Sequence, residues 1–130
     1  MYSDRIFVFG SNYAGRHGAG AARYALEHQG ARYGIGVGLY GRSYAIPTKD
    51  ENIITLPRSV IQYEIDHFLT FSWATRRVFA FNITRIGCGL AGYTDEQIAP
   101  MFIGAHINCH FYEEWRKWFP DQADLGPSPK

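Results

Sequence analysis

Two glycine-rich turns in this 130-residue chain each follow a short apolar run and lead into a helix-like segment. The first spans residues 10–22 and comes after the apolar run 6–9. The second spans residues 87–93 and comes after the largely apolar run 78–83. A strand, a glycine turn and a helix in succession present backbone N–H groups to a phosphate. Two such turns in one small chain therefore predict a site for a diphosphate, and a nucleotide is the ligand we expect.

Neither turn carries a standard phosphate-binding signature. Gly15, Gly18 and Gly20 read G-x-x-G-x-G, which differs from the dinucleotide fingerprint, and the G-K-[ST] of a P-loop is absent. Each turn taken alone also fits a tight connection between a strand and a helix. It is the matching position of the two turns that favours a nucleotide site.

Two polar side chains beside these segments have the right chemistry for a ribose. Asn12 follows the first strand, and its amide both donates and accepts hydrogen bonds, which suits ribose hydroxyls. The alternative is that Asn12 bonds the local backbone and stabilises the turn. Lys49 follows the second predicted strand and can act as a nucleophile toward a sugar carbon or as a cation near phosphate. A lysine in a polar loop is otherwise simply solvated.

Three further side chains in the turns have two interpretations each. Cys88 is a candidate nucleophile, but no histidine or acid adjoins it in sequence, and a small, partly buried filler is the favoured interpretation. His17 is either a phosphate or ribose contact or a surface turn residue. Tyr93 either stacks on a ring or packs below the second turn.

Composition narrows the function classes. The net charge is +1 and no long basic block is present, so broad electrostatic binding to nucleic acid is not expected, although contact with a nucleic-acid end or a single base stays open. Cys88 and Cys109 lack metal-ligand spacing, and reduced thiols are expected rather than a disulfide. Neither a signal peptide nor an apolar run of the roughly 20 residues that a membrane span needs is visible. We therefore expect a cytoplasmic protein with no metal, no cofactor and no membrane partner, and the oligomeric state stays open.

Alternating strands and helices predict an α/β domain. Strands are predicted at 5–9, 43–48, 78–85 and 108–112, and helices at 18–29, 56–76 and 95–104. Residues 30–42 hold five glycines and are predicted to form a loop. We expect a mostly parallel central sheet of strand order 2-1-3-4, which brings both glycine turns to the carboxyl edge of the sheet. One domain is expected over residues 1–119, followed by a flexible polar tail over 120–130.

Three stretches in the same order give the chain a resemblance to the macrodomain family. They are the Asn12–Gly20 segment, the sequence Ile46-Pro47-Thr48-Lys49, and the sequence Arg85-Ile86-Gly87-Cys88-Gly89-Leu90. Within that family the chain most resembles the branch that holds the terminal ADP-ribose protein glycohydrolase and the antitoxin macrodomain that removes ADP-ribose from DNA. It is also similar to short phage and bacterial proteins of this kind. The resemblance spans roughly residues 5–105 and implies a three-layer α/β/α fold.

The resemblance implies a role for individual residues. Lys49 would attack the anomeric carbon of the distal ribose and Asn12 would orient that ribose, which makes these two the catalytic candidates. The implied ligand-binding set is Gly10, Ser11, Gly15, His17, Gly18, Ala19, Gly20, Ala21, Thr48, Gly87, Cys88, Gly89, Leu90, Ala91, Gly92 and Tyr93. The implied activity is binding of ADP-ribose or a derivative and hydrolysis of its linkage to a nucleobase or a protein, so the partner is an ADP-ribose-type nucleotide, free or attached to DNA or protein.

Two departures from the family pattern leave an alternative open. Ala91 stands nearest to the place where the glycohydrolase has an acidic residue, and Asp95 is close in sequence but suits a helix cap. The aspartate that reads adenine has no clear equivalent, since Asp4 is the only acid before the first strand. The alternative is a non-catalytic protein that binds or sequesters a free ADP-ribose-type signal. An interaction module whose glycine turns only shape a surface is a third interpretation.

Overall fold

The computed structural model describes residues 4–129, which form an α/β structure around one sheet. The strands are β1 (Asp4–Asn12), β2 (Gly38–Tyr40), β3 (Ser43–Lys49), β4 (Phe79–Ile83) and β5 (Cys109–Phe111). The helices are α1 (Gly20–His28), α2 (Arg58–Ala74) and α3 (Asp95–Ile98), with short 3-10 segments at Ala99–Phe102 and Glu113–Trp115.

The sheet is mixed and has the order β2-β3-β1-β4-β5. The pairings β3–β1, β1–β4 and β4–β5 are parallel, whereas β2 pairs with β3 in antiparallel fashion. The expectation of a mostly parallel sheet is therefore corrected, and the four-strand order lacked the edge strand β2. That strand lies inside the segment 30–42, which was predicted to be loop throughout. Gly41, at φ 59°, lies in the tight turn that folds Gly38–Tyr40 back onto β3.

Both faces of β1 are covered because its successive side chains alternate between two hydrophobic clusters. Val8 belongs to the larger cluster, where Ile61, Ile65 and Phe68 of α2 are fully buried. Phe9 belongs to the smaller cluster, which contains the buried alanines Ala22 and Ala25 of α1 together with Ala31 and Ala45. The small residues of α1 let that helix lie close to the sheet, which holds its N-terminus beside the end of β1.

β1 continues three residues beyond its predicted end at Phe9, because its last residues find partners on β3 and on the segment before β2. Ser11 Oγ donates a hydrogen bond of 2.5 Å to the carbonyl of Gly36. The parallel register with β3 shifts between Ser11 and Asn12, next to Pro47, which has no N–H for the ladder. The shift pairs Asn12 with Lys49, so the two catalytic candidates end neighbouring strands side by side.

The second glycine turn lies between β4 and α3, and it contacts the segment just before α2. Pro57 occupies the N-cap of α2, and the Thr55 hydroxyl before it donates to the carbonyl of Ala91 at 3.1 Å. Thr94 caps α3 with a full capping box, and Asp95 is the first residue of that helix. α3 ends at Ile98 and continues as a 3-10 turn containing Pro100, so the predicted helix over 95–104 is shorter than expected.

Within the predicted tail, residues 123–125 pair with Phe111 of β5, and Lys130 lies outside the described residues. The Phe111 N–H donates to Ala123, and the Leu125 N–H donates back to the Phe111 carbonyl. Within residues 4–129 no helix is long and apolar enough to cross a membrane. In the same range, no group of three or more His, Cys, Asp or Glu side chains is placed to hold a metal ion.

Candidate functional site

A cavity of about 840 Å³ lies where both glycine turns meet, and both turns line it. The first turn contributes Gly18 to Ala22 at the start of α1, and the second contributes Gly87 to Ala91. The ends of β1 and β3 complete this part of the wall. The volume is within the usual range for small-molecule and cofactor sites, about 300–1,000 Å³.

Fourteen of the ligand-binding and catalytic candidates line this cavity and four do not. Those that line it are Gly10, Ser11, Asn12, Gly18, Ala19, Gly20, Ala21, Thr48, Lys49, Gly87, Cys88, Gly89, Leu90 and Ala91. Gly15, His17, Gly92 and Tyr93 are absent from the lining.

The four absent residues shape the turns from behind. His17 is 1% exposed, donates from Nε2 to the Ile35 carbonyl at 2.9 Å and meets the Phe9 ring edge-on. Gly15, at φ 70°, packs so closely on residues 34–35 that a Cβ would lie 2.4 Å from the Gly34 carbonyl carbon. Tyr93 donates its hydroxyl to the Leu56 carbonyl at 2.7 Å, and Gly92, at φ 88°, continues the second turn. These residues therefore support the walls from outside the cavity.

Backbone N–H groups on both sides of the cavity are without protein partners. In the second turn the N–H groups of Gly87, Gly89, Leu90 and Ala91 make no hydrogen bond within residues 4–129, whereas that of Cys88 bonds the Arg85 carbonyl. In the first turn, α1 starts after Ala19 with no side-chain cap and no acidic residue in its first turn. Its leading N–H groups point out of the helix and have no partner among the residues that the structure describes. Unpaired amides and a helix N-terminus converging on one cavity favour an anion there.

The cavity lining carries cations but no carboxylate. Arg16, Lys49 and Arg85 are its charged residues among those that the structure describes. The Lys49 ammonium has no hydrogen bond or ion pair with any residue from 4 to 129. A ligand with negative charge therefore suits this cavity better than a cation or a metal ion.

Asn12 uses its side chain on the turn itself. Its amide N–H donates to the Arg16 carbonyl and its Oδ1 accepts from the Arg16 N–H, both at 3.0 Å. The local-backbone interpretation of Asn12 thus describes its contacts in this structure. Asn12 is 7% exposed and still borders the cavity, so it holds the first turn in shape directly beside Lys49.

A partly buried charge cluster anchors the second turn. Arg85 makes a two-pronged contact with Asp95, at 2.9 and 2.6 Å, and the Trp115 indole N–H donates to the same carboxylate at 2.6 Å. These hydrogen bonds, that from Arg85 first, lower the pKa of Asp95. Burial raises the pKa of the neighbouring Cys88 thiol to about 12, helped by the Asp95 charge. Cys88 is therefore held as a neutral thiol, which agrees with the filler interpretation and disfavours a nucleophile.

Replacing Asp95 by Asn is expected to destabilise the protein at neutral pH by about 1–2 kcal/mol, a value reduced for the partial exposure of both partners. The folded-state pKa of Asp95 is lowered, so its contribution is present above the unfolded pKa and is lost as the pH falls through the folded pKa. Urea unfolding at pH 7 and at about pH 2–3 should show the difference between variant and parent shrinking in acid. Asp66→Asn, at an exposed carboxylate on α2, is the matched control. An equal loss of unfolding free energy in both variants would contradict the role given to Asp95.

A group of aromatic and amide side chains forms another part of the wall, and sequence reasoning missed it. Phe7 and Tyr24 lie with ring centroids 5.1 Å apart, and Tyr112 lines the same cavity with Asn82. Phe7 and Asn82 are direct partners in the parallel register of β1 and β4, so they share one face of the sheet. Asn82 Oδ1 accepts from Arg5, at 3.1 Å. We call Phe7, Tyr24, Asn82 and Tyr112 the aromatic end of the cavity.

The aromatic end lies well away from Lys49. Phe7 and Asn12 are five residues apart on β1, which corresponds to about 16 Å along the strand. The cavity therefore presents a lysine near one end, unpaired amides from both turns, and aromatic rings at the other end. Tyr24 on α1 and Tyr112 after β5 come together because strands that are distant in sequence pair with each other. No local sequence pattern predicts that pairing.

Comparison with known proteins adds evidence on the fold alone. No family model matches the chain, and no curated protein shows significant similarity to it. A solved structure described as that of a protein of unknown function from Bacteroides thetaiotaomicron is similar, with a TM-score of 0.56 and 14% sequence identity. The match covers 99% of this chain and 90% of the other. The similarity supports the α/β fold over the whole length.

Proposed function

We propose that this protein is a macrodomain-like protein that binds ADP-ribose or a derivative of it, in the cytoplasm. The observation that carries the proposal is the convergence of unpaired amides from both glycine turns on one cavity whose described lining has cations but no carboxylate. A diphosphate between the turns would receive hydrogen bonds from the unpaired amides of the second turn, those of Gly87, Gly89, Leu90 and Ala91, and the favourable field of the α1 N-terminus.

The two ends of the cavity match the two ends of such a ligand. The base would lie at the aromatic end, against Tyr24 or Tyr112, where stacking needs no particular base edge. The distal ribose would lie near Lys49 and the Asn12 turn. This orientation puts the anomeric carbon next to the lysine amine, as the resemblance to the glycohydrolase branch implies.

For turnover, Lys49 acts as the nucleophile. Its nitrogen forms a bond to the anomeric carbon, and the bond from that carbon to the nucleobase nitrogen or carboxylate oxygen breaks. The leaving group departs with the bonding electron pair and takes a proton, while the attacking nitrogen loses one. Water then adds to the same carbon, the carbon–nitrogen bond breaks, and free ADP-ribose and the lysine are regenerated.

A second candidate function is a binder that sequesters a free ADP-ribose-type nucleotide without turnover. The observation that favours it is the absence of any acid among the described cavity residues, since protonation of a leaving group is usually assisted by a positioned acid. Ala91 offers only its backbone there, and its carbonyl accepts from Thr55. The two candidates share the binding site and differ only in the step at Lys49.

Binding can be tested by calorimetry and thermal unfolding with ADP-ribose, NAD, cyclic ADP-ribose and ADP. We expect saturable ADP-ribose binding, and at about 100 times Kd a gain of roughly 2.7 kcal/mol that raises Tm by several degrees. Tyr24→Ala should weaken binding by about 5- to 150-fold through loss of base stacking. The matched control is Tyr63→Ala, at an exposed tyrosine outside the cavity lining. No binding of any of the four nucleotides would contradict the proposal.

A further inference from the structure

The chain segment 124–129 passes over one side of the cavity, and its Ser128 and Pro129 belong to the cavity lining. We call this segment the strap. Its first residues, Asp124 and Leu125, pair with Phe111 of β5, and its later residues Ser128 and Pro129 line the cavity together with Tyr112. None of the motifs in the two glycine turns predicts a contribution from this part of the sequence.

The carboxylate of Glu114 holds the strap against the rest of the domain. Ser128 donates to Glu114 twice, from its backbone N–H at 3.2 Å and from its hydroxyl at 2.6 Å. These bonds and the nearby Arg85 lower the pKa of Glu114 against the opposing effect of its burial. We refer to the Glu114–Ser128 contact as the latch.

The base of the strap is held independently of the latch. The Gly126 carbonyl accepts from the Glu113 N–H at 2.9 Å, and Asp124 accepts from the Gly126 N–H at 2.7 Å and pairs with Arg116. Breaking the latch therefore frees residues 127–129 while the rest of the strap keeps its bonds. This separation makes the latch a suitable place for substitutions.

The latch also reaches the second glycine turn. A Glu114 carboxylate oxygen lies 3.8 Å from a guanidinium nitrogen of Arg85, which lines the cavity. Arg85 comes just before the second turn and also donates two hydrogen bonds to Asp95. Tyr112, two residues before Glu114, forms part of the aromatic end. One short stretch of chain thus connects the strap, the aromatic end and the second turn.

We propose that the strap is a wall of the ligand site, with Ser128 and Pro129 covering the nucleoside part of the bound nucleotide and the latch holding them in place. The inference rests on the proposed function, because it assigns the nucleoside to the aromatic end. The strap contributes to recognition of the nucleoside but not of the distal ribose and its phosphate. Ligands that lack a nucleoside therefore gain nothing from it.

The test compares Kd for ADP-ribose and for ribose 5-phosphate in Ser128→Ala, Glu114→Gln and the double variant. We expect each single variant to raise Kd for ADP-ribose about three- to tenfold, and the double variant to be little worse than either, because both remove the same contact. Kd for ribose 5-phosphate should stay unchanged. Glu113→Gln, an exposed acid outside the cavity lining, is the control for charge loss next to the latch.

Hydrogen exchange supplies a measurement without substitutions. In the parent protein, ADP-ribose should slow exchange of the Ser128 amide, and ribose 5-phosphate should not. Normal ADP-ribose binding by the parent with unchanged Kd in both latch variants would overturn the role of the strap and leave the proposed function standing. Absence of ADP-ribose binding by the parent would overturn the proposed function and this inference with it.

Discussion

Lys49→Ala is expected to lower the rate of ADP-ribose release from modified DNA or protein by at least about 100-fold, the low end for removal of one positioned catalytic group. Its effect on Kd for ADP-ribose should be small, because unpaired amides from both turns hold the diphosphate. A loss in kcat without a matching loss in binding is the result that a group acting on the reacting atom produces. Single-turnover release and calorimetry on the same preparations measure the two quantities.

Two further variants separate a nucleophile from a cation. Lys49→Arg keeps the charge but removes the amine, and we expect it to be as inactive as the alanine variant. Lys117→Ala removes an exposed lysine that lies 4.4 Å over the Trp118 ring outside the cavity lining, and it should retain full activity. The lysine adduct can open its ribose ring, because the ring oxygen leaves the anomeric carbon and takes a proton while the nitrogen forms a double bond to that carbon. Borohydride added during turnover should reduce this imine and attach the sugar nucleotide to the peptide that contains Lys49. Full activity of Lys49→Arg would overturn the role of Lys49 as the nucleophile. A parent protein with binding but no turnover would leave the sequestering function as the better account.

The sequence predicts the parts of this site that depend on local chain geometry. A strand that ends in glycines before a helix indicates unpaired amides wherever it occurs, so Gly18 to Ala21 and Gly87 to Ala91 are identified from residue types alone. Lys49 is identified in the same way, since it is the polar residue at the end of a short apolar strand. For these residues, the sequence pattern and the local structure that it predicts involve the same few neighbouring residues.

Other parts depend on packing between distant segments, which no local pattern records. His17 has the polar character of a ligand contact, yet it is buried beside Phe9 because the segment before β2 brings the Ile35 carbonyl over the first turn. The same glycine-rich segment hides β2, whose existence requires pairing with β3. The aromatic end and the strap likewise arise from strand order and from the path of the chain after β5. Sequence reasoning therefore finds the two glycine turns and the lysine that line the cavity and misses its far wall.

The strongest test of that packing is a substitution within the segment before β2. Gly36 is buried, and a Cβ added there would lie 2.0 Å from the Asn12 carbonyl oxygen and 3.0 Å from the Gly15 nitrogen. Both neighbours are backbone atoms, so no side-chain rotation relieves the clash. We expect Gly36→Ala to destabilise the protein by about 3 kcal/mol or more and to abolish ADP-ribose binding, because the end of β1 must move and Asn12 and its turn move with it.

Gly18→Ala provides the matched substitution in the first turn itself. Gly18 lines the cavity, and a Cβ there meets no atom within 4 Å. The free energy of unfolding of Gly18→Ala should stay within about 1 kcal/mol of the parent value. We expect its ADP-ribose binding to weaken, because the added methyl group would stand where the backbone approaches the diphosphate in the proposed complex. Urea unfolding and calorimetry on both variants then separate two roles of glycine at this site. Gly36 permits close packing behind the turn, and Gly18 permits close approach of the ligand in front of it. Parent-like stability of Gly36→Ala would show that the segment before β2 does not hold the first turn in place.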